Sequence, residues 1–117
     1  MPGKVTRGEV VEVNLDPTVG TEVKKTRPCV IVQNDVGNRF SPRTIIVPVT
    51  DAEHVAKPFP VCVPLSRGSG GLTKDSVALC DQIRAIDESR IVRSLGRLTP
   101  AQMERVDAAL RISLGLK

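Results

Sequence analysis

Short runs of alternating or continuous apolar residues occupy the first three quarters of the chain, and a period of three and four takes over near its end. Residues 8–14, GEVVEVN, alternate in part and stop at the turn-rich LDPTVG, which predicts a first strand. A polar loop over 16–27 separates it from a second strand over 28–33, PCVIVQ. The stretch NDVGNRFSPR breaks that strand, with room for one helical turn, and TIIVPVT at 44–50 predicts a third. Pro48 inside that run points to a sheet edge or a bulge, because proline lacks the N–H that a ladder needs. VCVPL at 61–65 and SVALC at 76–80 predict two further strands, joined by the glycine-rich SRGSGGLTKD, read as a flexible hairpin. QIRAI at 82–86 continues the last strand or forms a sixth.

The remainder reads as helix. DESRIVRSLG at 87–96 is expected as a short helix stopped by Gly96. Thr99, Pro100 and Gln102 then form an N-cap, an N1 proline and the partner of a capping box. Met103, Val106, Leu110 and Leu114 follow as one apolar stripe of an amphipathic helix. Strands first and helices last predict a mainly β protein with C-terminal helices, a small antiparallel barrel with helices packed on it. With 117 residues and no linker or repeat, residues 1–117 are expected to form one domain.

Composition sharpens this picture. There are two Phe, no Tyr and no Trp, so the core must be aliphatic and a base-stacking surface is not expected. Cys29, Cys62 and Cys80 are odd in number and sit in apolar contexts, which fits reduced core thiols. No apolar leader pattern or membrane-length run is present, so the cytoplasm is the expected location. The net charge of +4 is unevenly spread. Residues 24–67 hold seven basic and three acidic groups, and residues 90–117 hold six and two. That distribution suits a polyanion partner, or a basic solvated surface.

Few routes to catalysis survive inspection. The chain has one histidine, His54, in a loop, and it reads as a surface residue; a two-histidine ribonuclease mechanism cannot be built within one chain. No Cys/His spacing matches a zinc site, so no metal is expected. GSGGLTKDS at 68–76 lacks the Gly-Lys-Ser/Thr of a phosphate loop. No G-x-S-x-G elbow and no paired-carboxylate spacing occurs. One opening remains. Arg27 at the mouth of the second strand and Thr50 at the end of the third can meet at one rim of a sheet. There a planar, permanently charged guanidinium and a hydroxyl would clamp a phosphodiester. The bland alternative is an exposed loop arginine and a strand-ending threonine. Pro28 biases Arg27 towards extended backbone, so its side chain leaves a strand and not a loop.

RGEVVEVNLDPTVGTE, RPCVIVQND, IIVPVT, DSVALCDQIRAID and the closing MERVDAALRISLGL occur in this order. From about Arg7 to Leu116 the chain resembles the MazF/PemK toxins of bacterial toxin–antitoxin pairs. The resemblance implies a small SH3-like β-barrel, usually a homodimer, that cleaves single-stranded RNA at short sequences without a metal or other cofactor. It implies Arg27 and Thr50 as the catalytic pair, and a MazE-like antitoxin whose disordered acidic tail covers the RNA groove. It brings Glu22, Asn34, Ser76, Gln82 and Arg84 forward as RNA contacts. Glu22 would order the arginine or touch a base, and otherwise is a solvated carboxylate. Asn34 would read base edges, and otherwise is a turn residue. Lys24, Lys25, Arg39, Arg43, Lys57 and Lys74 are generic phosphate contacts, adding salt dependence and not sequence choice. Two readings compete. CcdB-like toxins share the fold but bind DNA gyrase through a C-terminal Trp-Gly-Ile, whereas this chain ends ISLGLK. A catalytically silent RNA- or antitoxin-binding module is the other.

Overall fold

The computed structural model describes residues 4–22, 25–55 and 60–117. Seven strands account for most of the ordered backbone: β1 (Glu9–Asn14), β2 (Thr26–Ile31), β3 (Arg43–Asp51), β4 (Cys62–Leu65), β5 (Ser76–Leu79), β6 (Arg84–Asp87) and β7 (Ile91–Arg97). Helix α1 (Asp35–Phe40) links β2 to β3, and α2 (Pro100–Leu114) closes the chain. All recorded pairings are antiparallel, in the order β4-β5-β3-β2-β1-β7, with β6 also on β3. Among the described residues no pairing joins β4 to β7, so the sheet curls into a barrel without hydrogen-bonded closure.

Alternation along the central strands builds two cores. Val10, Val30, Val47 and Val49 face inward with Val63, Leu65 and Ala78, and α2 covers them with Met103, Val106, Ala109 and Leu110. Val11, Val13, Cys29, Ile31, Ile46 and Ile86 fill the opposite face, joined by Leu15 from the following loop. Each fully buried Val or Ile contributes roughly 1.5–3 kcal/mol. Helix α2 starts as its sequence predicts. Thr99 accepts from the Gln102 N–H at 3.2 Å, and Gln102 Oε1 accepts from the Thr99 N–H at 2.9 Å. The stripe ends earlier than expected, because Leu114 lies beyond the covered core and is 52% exposed.

Three local expectations are corrected. Residues 87–96 are not a helix: one 3-10 turn over Glu88–Arg90 leads into β7. Ile91 and Val92 are β-branched, and β7 satisfies the otherwise open edge of β1, with two register shifts along the pair. Pro48 marks neither an edge nor a bulge. β3 pairs with β6 over Arg43–Ile46 and with β5 over Val49–Asp51, and Pro48 stands between these two stretches.

The glycine-rich stretch, in turn, is packed against the barrel. Its one-turn segment Ser69–Gly71 packs against β1 and β7, and Gly70 is buried. A Cβ on Gly71 would stand 2.1 Å from the Leu95 carbonyl oxygen, and one on Gly96 would stand 2.7 Å from the Gly70 carbonyl carbon. Gly96 thus permits backbone-to-backbone approach and does not stop a helix. Gly71 also holds φ +81°, a conformation that L side chains rarely adopt. Gly71→Ala is expected to destabilise the fold by about 3 kcal/mol. A guanidinium-denaturation midpoint checks this, and an unchanged midpoint would refute the tight contact.

Candidate active site

The site follows from strand register. β2 and β3 pair with Ile31 opposite Ile46, Val30 opposite Val47 and Cys29 opposite Pro48. Carried two residues further, that register sets Arg27 opposite Thr50. Opposed residues of an antiparallel pair point to the same face, with Cβ atoms about 4.5–5.5 Å apart. On the Cys29 face the cross-strand rows read Ile31, Ile46 and Arg84, then Val11, Cys29 and Pro48, then Val13 and Arg27, with Thr50 next in line if the β2–β3 register continues. An apolar face thus ends in a guanidinium and a hydroxyl. Arg84 stands four residues back along β3, roughly 13 Å away at strand rise. Arg27 and Thr50 are both half-buried, which lets each be held by the sheet and still reach solvent.

A groove of about 530 Å³ opens on this face. Pro48 and Leu15 form part of its wall, with Glu22 from the β1–β2 loop and Gln82 and Arg84 from the chain entering β6. Arg84 is held there by donating from Nη1 to the Leu15 carbonyl at 3.3 Å. Its charge also reaches Cys29, where burial pushes the thiol up to about 12 and Arg84 opposes the rise. Cys29 therefore remains a protonated core residue and no nucleophile. Cys62 and Cys80 are likewise buried and free, as the sequence suggested.

The loop that delivers Glu22 is tied down at several points. Glu22 Oε1 accepts from the Val19 N–H at 2.6 Å. Lys25 has φ 69°, its N–H donates to Asp16 Oδ1 at 3.0 Å, and its carbonyl accepts from the Leu15 N–H at 3.0 Å. Arg90 Nη1 donates to the carbonyls of Asn14 at 3.2 Å and Asp16 at 2.7 Å. Lys25 is exposed beside Arg27. Lys24 and Lys57 lie outside the described residues.

Other expected contacts fall elsewhere. Ser76 is buried on β5 opposite Asp51, donates to the Lys74 carbonyl at 2.8 Å, and lines a second groove with Glu12, Pro28 and Arg93. Asn34 caps α1, accepting from the Gly37 N–H at 2.8 Å. It follows the far end of β2 and does not share a rim with Arg27. Arg43 begins β3, eight strand positions from its end at Asp51, and Arg39 packs over the Phe40 ring at 6.0 Å, so neither stands with Thr50. Lys74 does, through Asp51: its Nζ lies 3.4 Å from Asp51 Oδ2.

Three residues not foreseen in a site role join the picture. Thr21 and Asp81 line the first groove. His54, exposed as expected, folds back through the one-turn helix Ala52–His54 so that Nδ1 lies 3.5 Å from Thr50 Oγ1. Asp51, Glu53 and His54 bring ligand-type atoms within 4.8 Å of one another. The turn is exposed and Lys74 already faces Asp51, so the group is not read as a metal site. Among the described residues no helix is long and apolar enough to cross a membrane.

Known proteins resemble this chain in sequence and in fold. The chain is 42% identical over 112 residues to "Endoribonuclease EndoA" of Bacillus subtilis (strain 168), covering 96% of each chain. Its fold matches a crystal structure of MazF from Deinococcus radiodurans with a TM-score of 0.83 and 26% identity, covering 97% of this chain and 99% of that one. It also matches a mycobacterial endoribonuclease solved in complex with its cognate antitoxin, with a TM-score of 0.79, 25% identity and 97% of each chain covered. The family model of PemK-like, MazF-like toxins matches residues 6–114, nearly the whole chain. The chain belongs to the PemK-like, MazF-like toxins of type II toxin–antitoxin systems.

Proposed function

We propose that the protein is an endoribonuclease toxin that cuts single-stranded RNA, mRNA included, at short sequences by 2′-hydroxyl transesterification without a metal, and so stops translation and growth. What supports this reading is the β2–β3 register, which ends at Cys29 opposite Pro48 and, carried two residues further, would bring Arg27 and Thr50 together on the face where Pro48, Glu22, Gln82 and Arg84 line a groove. RNA brings its own nucleophile, the 2′-hydroxyl next to each phosphate. Holding ribose and phosphate in line makes the attack intramolecular. Negative charge then grows on the phosphoryl oxygens, where the Arg27 guanidinium and the Thr50 hydroxyl stabilise it. The products are a 2′,3′-cyclic phosphate and a 5′-hydroxyl. Glu22 and Gln82 present an acceptor and an amide to base edges, while Arg84 and Lys25 meet phosphates.

The partners follow from the same reading. A MazE-like antitoxin with an acidic tail would occupy the RNA site in place of RNA, and the toxin would act as a homodimer in the cytoplasm. The mycobacterial relative with its cognate antitoxin supports the first of these.

A transcript digestion tests the proposal. Purified protein is expected to cut single-stranded RNA equally well with and without excess EDTA. Sequencing the 5′ ends of the fragments would give the recognition motif in the same experiment. Activity that vanishes with EDTA and returns with a divalent ion would overturn the metal-free route.

A further inference from the structure

Arg27 and Thr50 leave one step without an owner. A guanidinium that never deprotonates in proteins is a poor acceptor for the 2′-proton. The one histidine of the chain stands next to Thr50. We propose that His54 is the proton-handling partner of Thr50: it orients the Thr50 hydroxyl and takes up, through it, the proton released by the 2′-oxygen. This rests on reading Arg27 and Thr50 as a ribonuclease site.

The geometry assigns each ring nitrogen a task. Nδ1 lies 3.5 Å from Thr50 Oγ1, and Nε2 lies 3.9 Å from Glu53 Oε1. A carboxylate facing Nε2 favours the tautomer protonated there, which leaves the Nδ1 lone pair towards Thr50. The Thr50 contact is long for a hydrogen bond, as catalytic contacts often are before substrate tightens them. The turn is fixed at its base, because the Ala52 N–H donates to the Asp75 carbonyl at 2.9 Å and the Val55 N–H to the Ala52 carbonyl at 3.1 Å. Glu53 on its own turn and Asp51 from β3 bring carboxylate oxygens within 4.8 Å of the ring's ligand atom; Lys74 and Asp75, from the chain entering β5, line a hollow with those two acids, and Lys74 Nζ lies 3.4 Å from Asp51 Oδ2.

The step balances as follows. The 2′-oxygen bonds to phosphorus while the bond from phosphorus to the 5′-oxygen breaks. The 2′-proton passes to Thr50 Oγ1 as the hydroxyl's own proton moves to His54 Nδ1. The departing 5′-oxygen takes a proton from water. His54, with a side chain 53% exposed, returns its proton to solvent.

Single-turnover cleavage of a short RNA between pH 5.5 and 8.5 tests this. The wild type is expected to speed up as the imidazole loses its proton and then level off. His54→Gln is expected to be slower by about a hundredfold at pH 7.5 and to lose that bend. Its affinity for a non-cleavable RNA with a 2′-deoxy nucleotide at the cut site should stay within twofold, and circular dichroism should confirm the fold. A His54→Gln protein with the wild-type rate and the same bend overturns the role of His54 alone. So does a loss that lies wholly in RNA affinity. A wild type that cuts no RNA under any condition overturns the ribonuclease reading and this inference together.

Discussion

Arg27→Ala is expected to slow single-turnover cleavage of single-stranded RNA by about a thousandfold or more, with little change in stability. One preorganised hydrogen-bond donor aimed at developing charge is worth about a hundred- to a thousandfold in rate. Arg27 adds a full positive charge to its donors, which places it at or above the top of that range. The side chain ends the apolar face and belongs to neither buried cluster, so truncation opens no cavity. Pro28 and the pairing of Arg27 with Val13 hold the backbone whatever the side chain. The two measurements are a cleavage rate and a denaturant midpoint on the same preparation. A variant that cuts at near wild-type rate removes Arg27 from the site. One that is inactive but unfolded says the residue is structural.

The second large effect lies in the substrate. Replacing the ribose 5′ to the scissile phosphate by 2′-deoxyribose is expected to abolish cleavage at that phosphate, while binding survives. The reason is stoichiometric: with no 2′-oxygen the attacking atom is missing, and no cysteine replaces it. Cys29 is buried and its thiol is held protonated, and Cys62 and Cys80 are buried as well. Moving the deoxy position one nucleotide to either side should restore cutting. A product from the substituted site, detected by its new 5′ end, would mean that water or a side chain attacks, and the transesterification route would fall.

Much of this was legible in the sequence, for identifiable reasons. Strands β1 to β5 each announce themselves by alternation or an aliphatic run bounded by Gly, Pro or Asp, β6 is legible only as a continuation of β5 or a sixth strand, and the capping box at Thr99 and Gln102 fixes the start of α2. β7 was not legible. Its charged and apolar residues fit a helical period about as well as a strand, and tertiary pairing with β1 decides the matter. The glycines at 70, 71 and 96 read as looseness and a stop, because the approach they permit is visible only once both backbones are placed. The Arg27–Thr50 pair is suggested by residue type and by family resemblance, and a continuation of the β2–β3 register beyond Cys29 and Pro48 would support it. Asn34 shows the opposite case: an amide after a strand fits base readout and helix capping equally, and only the Gly37 bond identifies a cap. His54 was set aside as a loop residue because four residues of separation bring two side chains together only if the chain between them turns, as it does here through Ala52–His54.

The incomplete closure of the barrel also bears on solubility. A sheet whose path stops at β4 and β7 leaves a raw edge at each end, a template on which another chain could add a strand. Both are guarded. β4 is four residues long and carries Pro64, which has no N–H to offer an incoming strand. β7 is irregular in register and carries Arg93 and Arg97. Both ends are thus kept from recruiting copies into fibrils, a protection that a fully closed barrel would not need.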